Sequence, residues 1–449
     1  MRDVILTLIV GGLLPLVLAR PHIGILVWSW LGYMNPHRLT YGFAHTLPFA
    51  QITAICLMLS LVFSKEPKKL PITSVTVVWL LFLAWMGVTT MNAWYPEYAS
   101  TQYGNVLKIQ VGILLTLMVM GSRERIHMLV WVIYLSIGFY SIKGGLFTLT
   151  GGGERVWGPP GSMIFGNNEL ALATLMIIPL GNYLRLHTEN KWLKRALALS
   201  MLLSLISALG SYSRGAFLGT IAVAMFFWWK SKRKLVIGLV VAMIVPVVLS
   251  LMPQQWFDRM GTIENYEEDS SANERLASWG LSISIANDEI FGGGFNFWSK
   301  AAYQKYGPEE TWDYSFVAHS IYLHVAGEHG WVGLALFLLV WILVWRNGTW
   351  IIKQAKQRPD LDLKWAADLA AMMHVSLIAY ATAGAFLSLS YFDLPWHIMS
   401  IFVLLKVCVE KQLAGEVGGA PKNAFGIKKP EGNQKPEEAG KSFNSRNKR

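Results

Sequence analysis

The chain predicts an all-α polytopic membrane protein with about 12 transmembrane helices and one large, partly helical loop. Three observations predict it. Of 449 residues, 53% are hydrophobic and 15% charged, a balance outside that of soluble domains. Apolar runs long enough to cross a ~30 Å hydrocarbon core recur along the chain. Residues 253–318 form the one long hydrophilic segment between such runs.

The apolar run at 4–18 is followed by Ala19, Arg20 and Pro21. No small-residue cleavage site follows it, so we expect it to be retained. Segment 4–35 reads as one long span broken at Arg20 and Pro21, or as a hairpin of two short ones. We count it as one, which puts both termini in the cytoplasm. Further runs fall near 46–63, 72–91, 105–121, 126–143, 168–184, 196–212, 214–229, 235–252, 319–345, 366–388 and 395–410. Cys56 and Cys408 sit inside apolar runs and read as helix-packing residues, not a disulfide.

The formal net charge is +11. Basic residues collect in the short links 65–69, 123–125, 185–195, 230–234 and 346–364, and in the tail 411–449. By the positive-inside rule these face the cytoplasm, so topology explains the charge and no nucleic-acid partner is expected. The tail is rich in Gly, Pro, Lys and Glu. It reads as disordered and basic enough to graze anionic lipid. Counting spans places 253–318 outside, and that loop carries eleven acidic and four basic residues. Trp94, Tyr95, Tyr98, Trp157 and Trp256 fall near the expected outer interface, as aromatic belts do. The expected organisation is therefore N-terminal transmembrane helices over 1–252, the outward loop 253–318, C-terminal transmembrane helices over 319–410 and the tail 411–449.

Within the loop, residues 273–286 have helical apolar spacing behind a cap at Ser271. Gly292, Gly293 and Gly294 make a turn among the aromatics Phe291, Phe295, Phe297 and Trp298.

Basic residues are scarce on the outer side, so those present stand out: Arg38, Lys108, Lys143, Arg155, Arg214, Arg259, Arg275, Lys300 and Lys305. A cation held at a membrane face needs a reason, and an anionic ligand is one. The planar guanidinium fork suits phosphate. Arg214 lies in Ser211, Tyr212, Ser213, Arg214, Gly215, a turn too short for a loop. It either snorkels as a helix anchor or, with the neighbouring hydroxyls such as that of Ser213, meets substrate. Arg275 is either a solvated surface residue or a ligand-binding one. His319, at the mouth of the helix that follows the loop, is either a satisfied interfacial histidine or a general base. His324 and His329 follow at five-residue steps, which share no helix face and match no zinc motif. Gly327, Gly330 and Gly333 read as a small-residue row for close helix approach. The glycine-rich stretch 151–161 is a connecting loop, or brings Arg155 and Asn168 to substrate. It lacks the Gly-Lys-Ser/Thr of a P-loop. Lys108 and Gln110 face a cavity or lie near the interface.

Ser213-Arg214-Gly215 at an outer turn, Arg275 in the loop, 292–295, His319-Ser320 and Glu328-His329-Gly330 together resemble the O-antigen ligase / O-antigen polymerase superfamily. The chain looks most like an O-antigen ligase or a related O-glycosylation ligase. The resemblance implies an enzyme of the bacterial inner membrane whose loop and site face the periplasm. It would move a glycan from undecaprenyl diphosphate to a sugar hydroxyl of lipid A–core, with membrane lipid as its surroundings and neither metal nor nucleotide as cofactor. It maps the essential arginines onto Arg214 and Arg275 and the essential histidine onto His319. Ser213, Arg155, Asn168 and Lys108 join the arginines as expected substrate-binding residues. Glycan polymerisation or transfer to a protein hydroxyl would use the same scaffold. A lipid-linked sugar transporter is the remaining alternative, and would need polar groups near the membrane midplane; His374 is the one candidate.

Overall fold

The computed structural model describes residues 1–151, 155–230, 234–235, 238–239, 242–243, 246, 250, 254–261 and 270–415. The expected span at 235–252 in large part, the glycine loop at 152–154, and all but the first residues of the expected tail lie outside them. Among the described residues the chain is helical with no strand. Its helices are α1 (Arg2–Ala19), α2 (Pro21–Met34), α3 (Phe49–Phe63), α4 (Ser74–Met91), α5 (Pro96–Val119), α6 (Arg123–Leu149), α7 (Asn167–Leu186), α8 (Lys191–Leu209) and α9 (Arg214–Lys230). Loop helices α10 (Gln254–Gly261), α11 (Ser270–Asp288) and α12 (Lys300–Tyr306) follow, then α13 (Ile321–Gln357), α14 (Lys364–Ala383) and α15 (Asp393–Leu413). Seven of the described helices are long and apolar enough to cross a membrane. α7 is the most enclosed of these, and α1 the least.

The segment 4–35 takes the hairpin form, not the single broken span on which the count of twelve rests. Arg20 is extended, and Pro21 starts α2 at its first turn, where a missing N–H costs nothing. The start of α1 lies beside the end of α2: Asp3 Oδ1 accepts from the Gly42 and Ala44 N–H groups, each at 3.0 Å. α2 has 14 residues, about 21 Å of helix, which is short of a full span. The chain's first residue therefore lies at the same face as the link 35–48.

The basic links meet at the opposite face. Arg125 pairs with Glu66 at 2.7 Å and Arg123 with Asp362 at 2.6 Å. His187 stands 3.1 Å from Asp368. These contacts tie the α3–α4, α5–α6, α7–α8 and α13–α14 links together. Large apolar side chains such as Leu8, Leu81, Leu199 and Ile342 stay exposed along the helix flanks, a surface suited to lipid.

The helix after the loop is not one span. Gly330 has φ 67° and ψ −176°, which splits α13 into a short shelf over 321–329 and a long helix from 331 onward. That backbone region is essentially closed to side chains. A β-carbon here would also stand 2.3 Å from the Ile290 carbonyl oxygen. The expected small-residue row thus has a different purpose at Gly330, which ends the shelf. At Gly327 the close-approach reading holds, because a β-carbon there would meet Phe297 at 2.9 Å.

The loop has its own small core. Leu281, Ile285, Phe297, Ala302 and Tyr303 are buried together. The spacing at 273–286 becomes the middle of α11. The turn at 292–294 docks on the shelf: Gly293 N–H donates to the Gly327 carbonyl and Gly294 N–H to that of Glu328, at 2.9 and 3.0 Å.

Gly330→Ala should lower the thermal midpoint of purified protein and its folded yield, by roughly 2 kcal/mol or more of stability. Gly280→Ala is the matched control, since α11 leaves its β-carbon position open. It should be neutral or slightly stabilising. Equal melting of both variants and the parent would remove the break from the account.

Candidate active site

One cleft at the loop-bearing face collects most of the expected site residues. The link before α7 supplies Arg155, and the start of α7 supplies Asn167 and Asn168. The α8–α9 turn supplies Tyr212, Ser213, Arg214 and Gly215. Helix α11 brings Arg275, and the α14–α15 link brings Phe386 and Leu387. The cleft is narrow and partly open to solvent.

Local sequence explains the turn. Ser211 Oγ donates to the Ala208 carbonyl at 2.6 Å, ending α8. Tyr212 takes φ 59°, which reverses the chain. Ser213 Oγ then accepts from the Ala216 N–H at 3.2 Å, an N-cap geometry that starts α9 at Arg214. Asn167 Nδ2 donates to the Ser211 carbonyl at 2.7 Å, joining the start of α7 to the turn. Gly215 lets the α14–α15 link approach: a β-carbon there would stand 3.3 Å from Phe386 Cβ. From below, Trp256 of α10 packs against Leu209, Tyr212 and Phe217 and donates to the Leu209 carbonyl at 2.9 Å.

The electrostatics favour an anion. Three guanidinium groups share the cleft with the N-termini of α7 and α9, and both helix ends carry partial positive charge. Glu169, one turn into α7, lies within electrostatic range of Arg275 and offsets part of that charge.

His319 borders the cleft without lining it. Its N–H donates to Ser388 Oγ at 3.1 Å, one residue along from Leu387. Its φ is 44°, a left-handed value uncommon for a side-chain-bearing residue. Trp279 of α11 donates to the Ala318 carbonyl at 2.6 Å, so the helix that carries Arg275 also holds the residue before His319. Burial pushes the His319 imidazole down to about 4, helped by the positive Arg275 and by His324. The ring is therefore neutral at pH 7.

Arg155, Asn168, Ser213, Arg214 and Arg275 thus share one site, and His319 adjoins it. Ser213 lines the cleft, but its hydroxyl also caps α9. Lys108 does not join them. It is exposed on α5 and donates to Asn105 Oδ1 at 3.2 Å, because its helix position faces away from the cleft. Gln110 accepts from Trp79 Nε1 at 2.8 Å inside the helix packing. Lys300 and Lys305 are taken up by loop ion pairs with Asp313 and Glu289. The Arg259 side chain lies outside the described residues. Tyr212, Asn167 and the 386–388 segment are cleft features that the sequence reading did not select. Only its place in the tight turn at 211–215 hinted at Tyr212.

A search of curated proteins found no match to the chain. Residues 1–189 match a family of unknown function (DUF5935). Residues 199–338 match the family described as O-Antigen ligase. That second segment holds Arg214, Arg275 and His319, and its match supports membership of the O-antigen ligase superfamily over those residues.

Proposed function

We propose that the protein is an inverting glycosyltransferase of the O-antigen ligase type, moving a glycan from undecaprenyl diphosphate to a sugar hydroxyl of lipid A–core. The observation that carries this reading is the meeting of Arg155, Arg214 and Arg275 in one cleft with His319 at its edge. The site lies at the outer face of the inner membrane. The clustering of basic links on the opposite face supports that orientation.

In this reading the donor's diphosphate lies in the cleft, gripped by the arginine forks. The acceptor oxygen attacks the anomeric carbon, its proton passes to His319, and the carbon–oxygen bond to phosphate breaks. The lipid diphosphate departs with the bonding pair. Arg214 and Arg275 offset the charge growing on it, and attack from the opposite side inverts the anomeric centre. A bound diphosphate also cancels the field of Arg275, so His319 becomes more basic when the donor is present. The polyprenyl chain has a place to go. An apolar groove, partly open to the surroundings, begins at Ile321 and Tyr322, just past His319. It continues between α13 and α14 past Trp341, Trp345 and Tyr380.

Purified protein given a lipid-linked glycan and lipid A–core should yield a lipopolysaccharide ladder on a gel. Longer lipid-linked chains or a glycoprotein as the product would assign polymerase or protein-transferase activity to the same cleft. Arg214→Ala and Arg275→Ala should each lose about 10²–10³ in rate, and Arg→Lys should recover little because the fork is gone. Rates near the parent value for either alanine variant would remove that arginine from the mechanism.

The pH profile offers a separate check. The acid limb of kcat/KM reports the free enzyme and should fall near His319's value of about 4. The acid limb of kcat reports the donor complex and should lie higher. An acid limb left unchanged in a weakly active His319 variant would exclude His319 as the base.

A further inference from the structure

A buried polar knot lies behind His319, and no step of the transfer uses it. Glu328, near the end of the shelf, is 1% exposed. Its Oε1 accepts from the Asn296 backbone N–H at 3.0 Å and stands 3.2 Å from His324 Nε2. Its Oε2 accepts from the Tyr391 hydroxyl at 2.6 Å. The Tyr391 oxygen is 2.8 Å from His329 Nε2, and His329 Nδ1 is 2.7 Å from the Thr89 hydroxyl. Replacing such a buried charge network with apolar groups is often neutral or stabilising, so stability alone gives little reason for a carboxylate here.

The strap 386–391 gives a reason. Phe386 and Leu387 line the arginine cleft. Ser388 Oγ accepts from the His319 N–H at 3.1 Å, and Ser390 Oγ donates to the Ile321 carbonyl at 3.0 Å. Tyr391 ends the strap on Glu328. One short run of bends and turns therefore links the cleft, His319 and the far end of the shelf in sequence. His319 is held at φ 44°, and a strained backbone persists only where its surroundings over-determine it. Loosening the strap would let that residue relax.

We propose that Tyr391 and Glu328 form a positioning pair, which locks the strap to the shelf and so fixes His319 relative to Arg214 and Arg275. The inference rests on the reading of His319 as the base. Neither residue touches substrate; both act through His319.

Tyr391→Phe tests it, removing one hydroxyl and leaving the ring against Phe295, centroids 5.2 Å apart. A hydrogen bond to a charged group, once lost, should lower kcat about tenfold or more. KM for the lipid-linked donor should not change, because the cleft arginines are untouched. Ser388→Ala, at the His319 end of the strap, should give the same split with little risk to folding. A lowered melting temperature with an unchanged kcat per folded protein would make the knot purely structural and overturn the proposal. So would a raised donor KM with unchanged kcat. His319→Ala is assayed alongside. If it stays active, the base reading has failed and the pair with it. If it is inactive while Tyr391→Phe and Ser388→Ala keep full kcat, the positioning role alone has failed.

Discussion

Three arginines converge on one cleft, and that convergence depends on backbone held in place by hydrogen bonds from neighbouring elements. The fold fixes the backbone around the cleft. Asn167 binds the start of α7 to the Ser211 carbonyl, Ser213 caps the helix that Arg214 begins, and Trp256 braces the turn from the other side. Arg275 is carried by a helix whose Trp279 is tied to the Ala318 carbonyl. The result is a cleft whose arginines stand on fixed backbone, the kind of preorganisation that would suit an anionic ligand.

The same connections couple the cleft to its histidine. The segment matched to the family of unknown function supplies Arg155, Asn167 and Asn168. The segment matched to the O-antigen ligase family supplies Arg214, Arg275 and His319. The strap that touches both groups lies beyond either match. The site therefore exists only when the two halves of the membrane part and the loop are packed together. The break at Gly330 is central to this. It sets the first residues of α13 apart from the long helix that follows, with His319 just before one end of that short piece and Glu328 near the other.

Much of this was legible in the sequence, for identifiable reasons. Apolar runs report helices directly, and most of the expected runs appear as described helices. Charge asymmetry grouped the basic links, and the scarcity of outer cations singled out nine residues, of which Arg155, Arg214 and Arg275 line the cleft. Lys108 met the same criterion and failed, because scarcity says which side of the membrane a residue is on and not which way its helix face points. Gly330 was read as a packing glycine, since a residue that permits close approach and one that permits positive φ look alike in sequence. The hairpin at Arg20 and Pro21 depended on the contact between Asp3 and the link 35–48, which no local pattern encodes. The strap was missed because Ser388, Ser390 and Tyr391 look like an ordinary polar link between two spans. Their meaning comes only from what lies opposite.

The most direct measurement of the central claim is a cryo-electron microscopy structure of the protein in lipid nanodiscs with a non-hydrolysable undecaprenyl-diphosphate sugar analogue. The account expects diphosphate density between Arg214 and Arg275, with the anomeric carbon on the side nearest His319 and the lipid chain entering the groove by Tyr322. Diphosphate density elsewhere on the molecule, with the cleft unchanged, would contradict it.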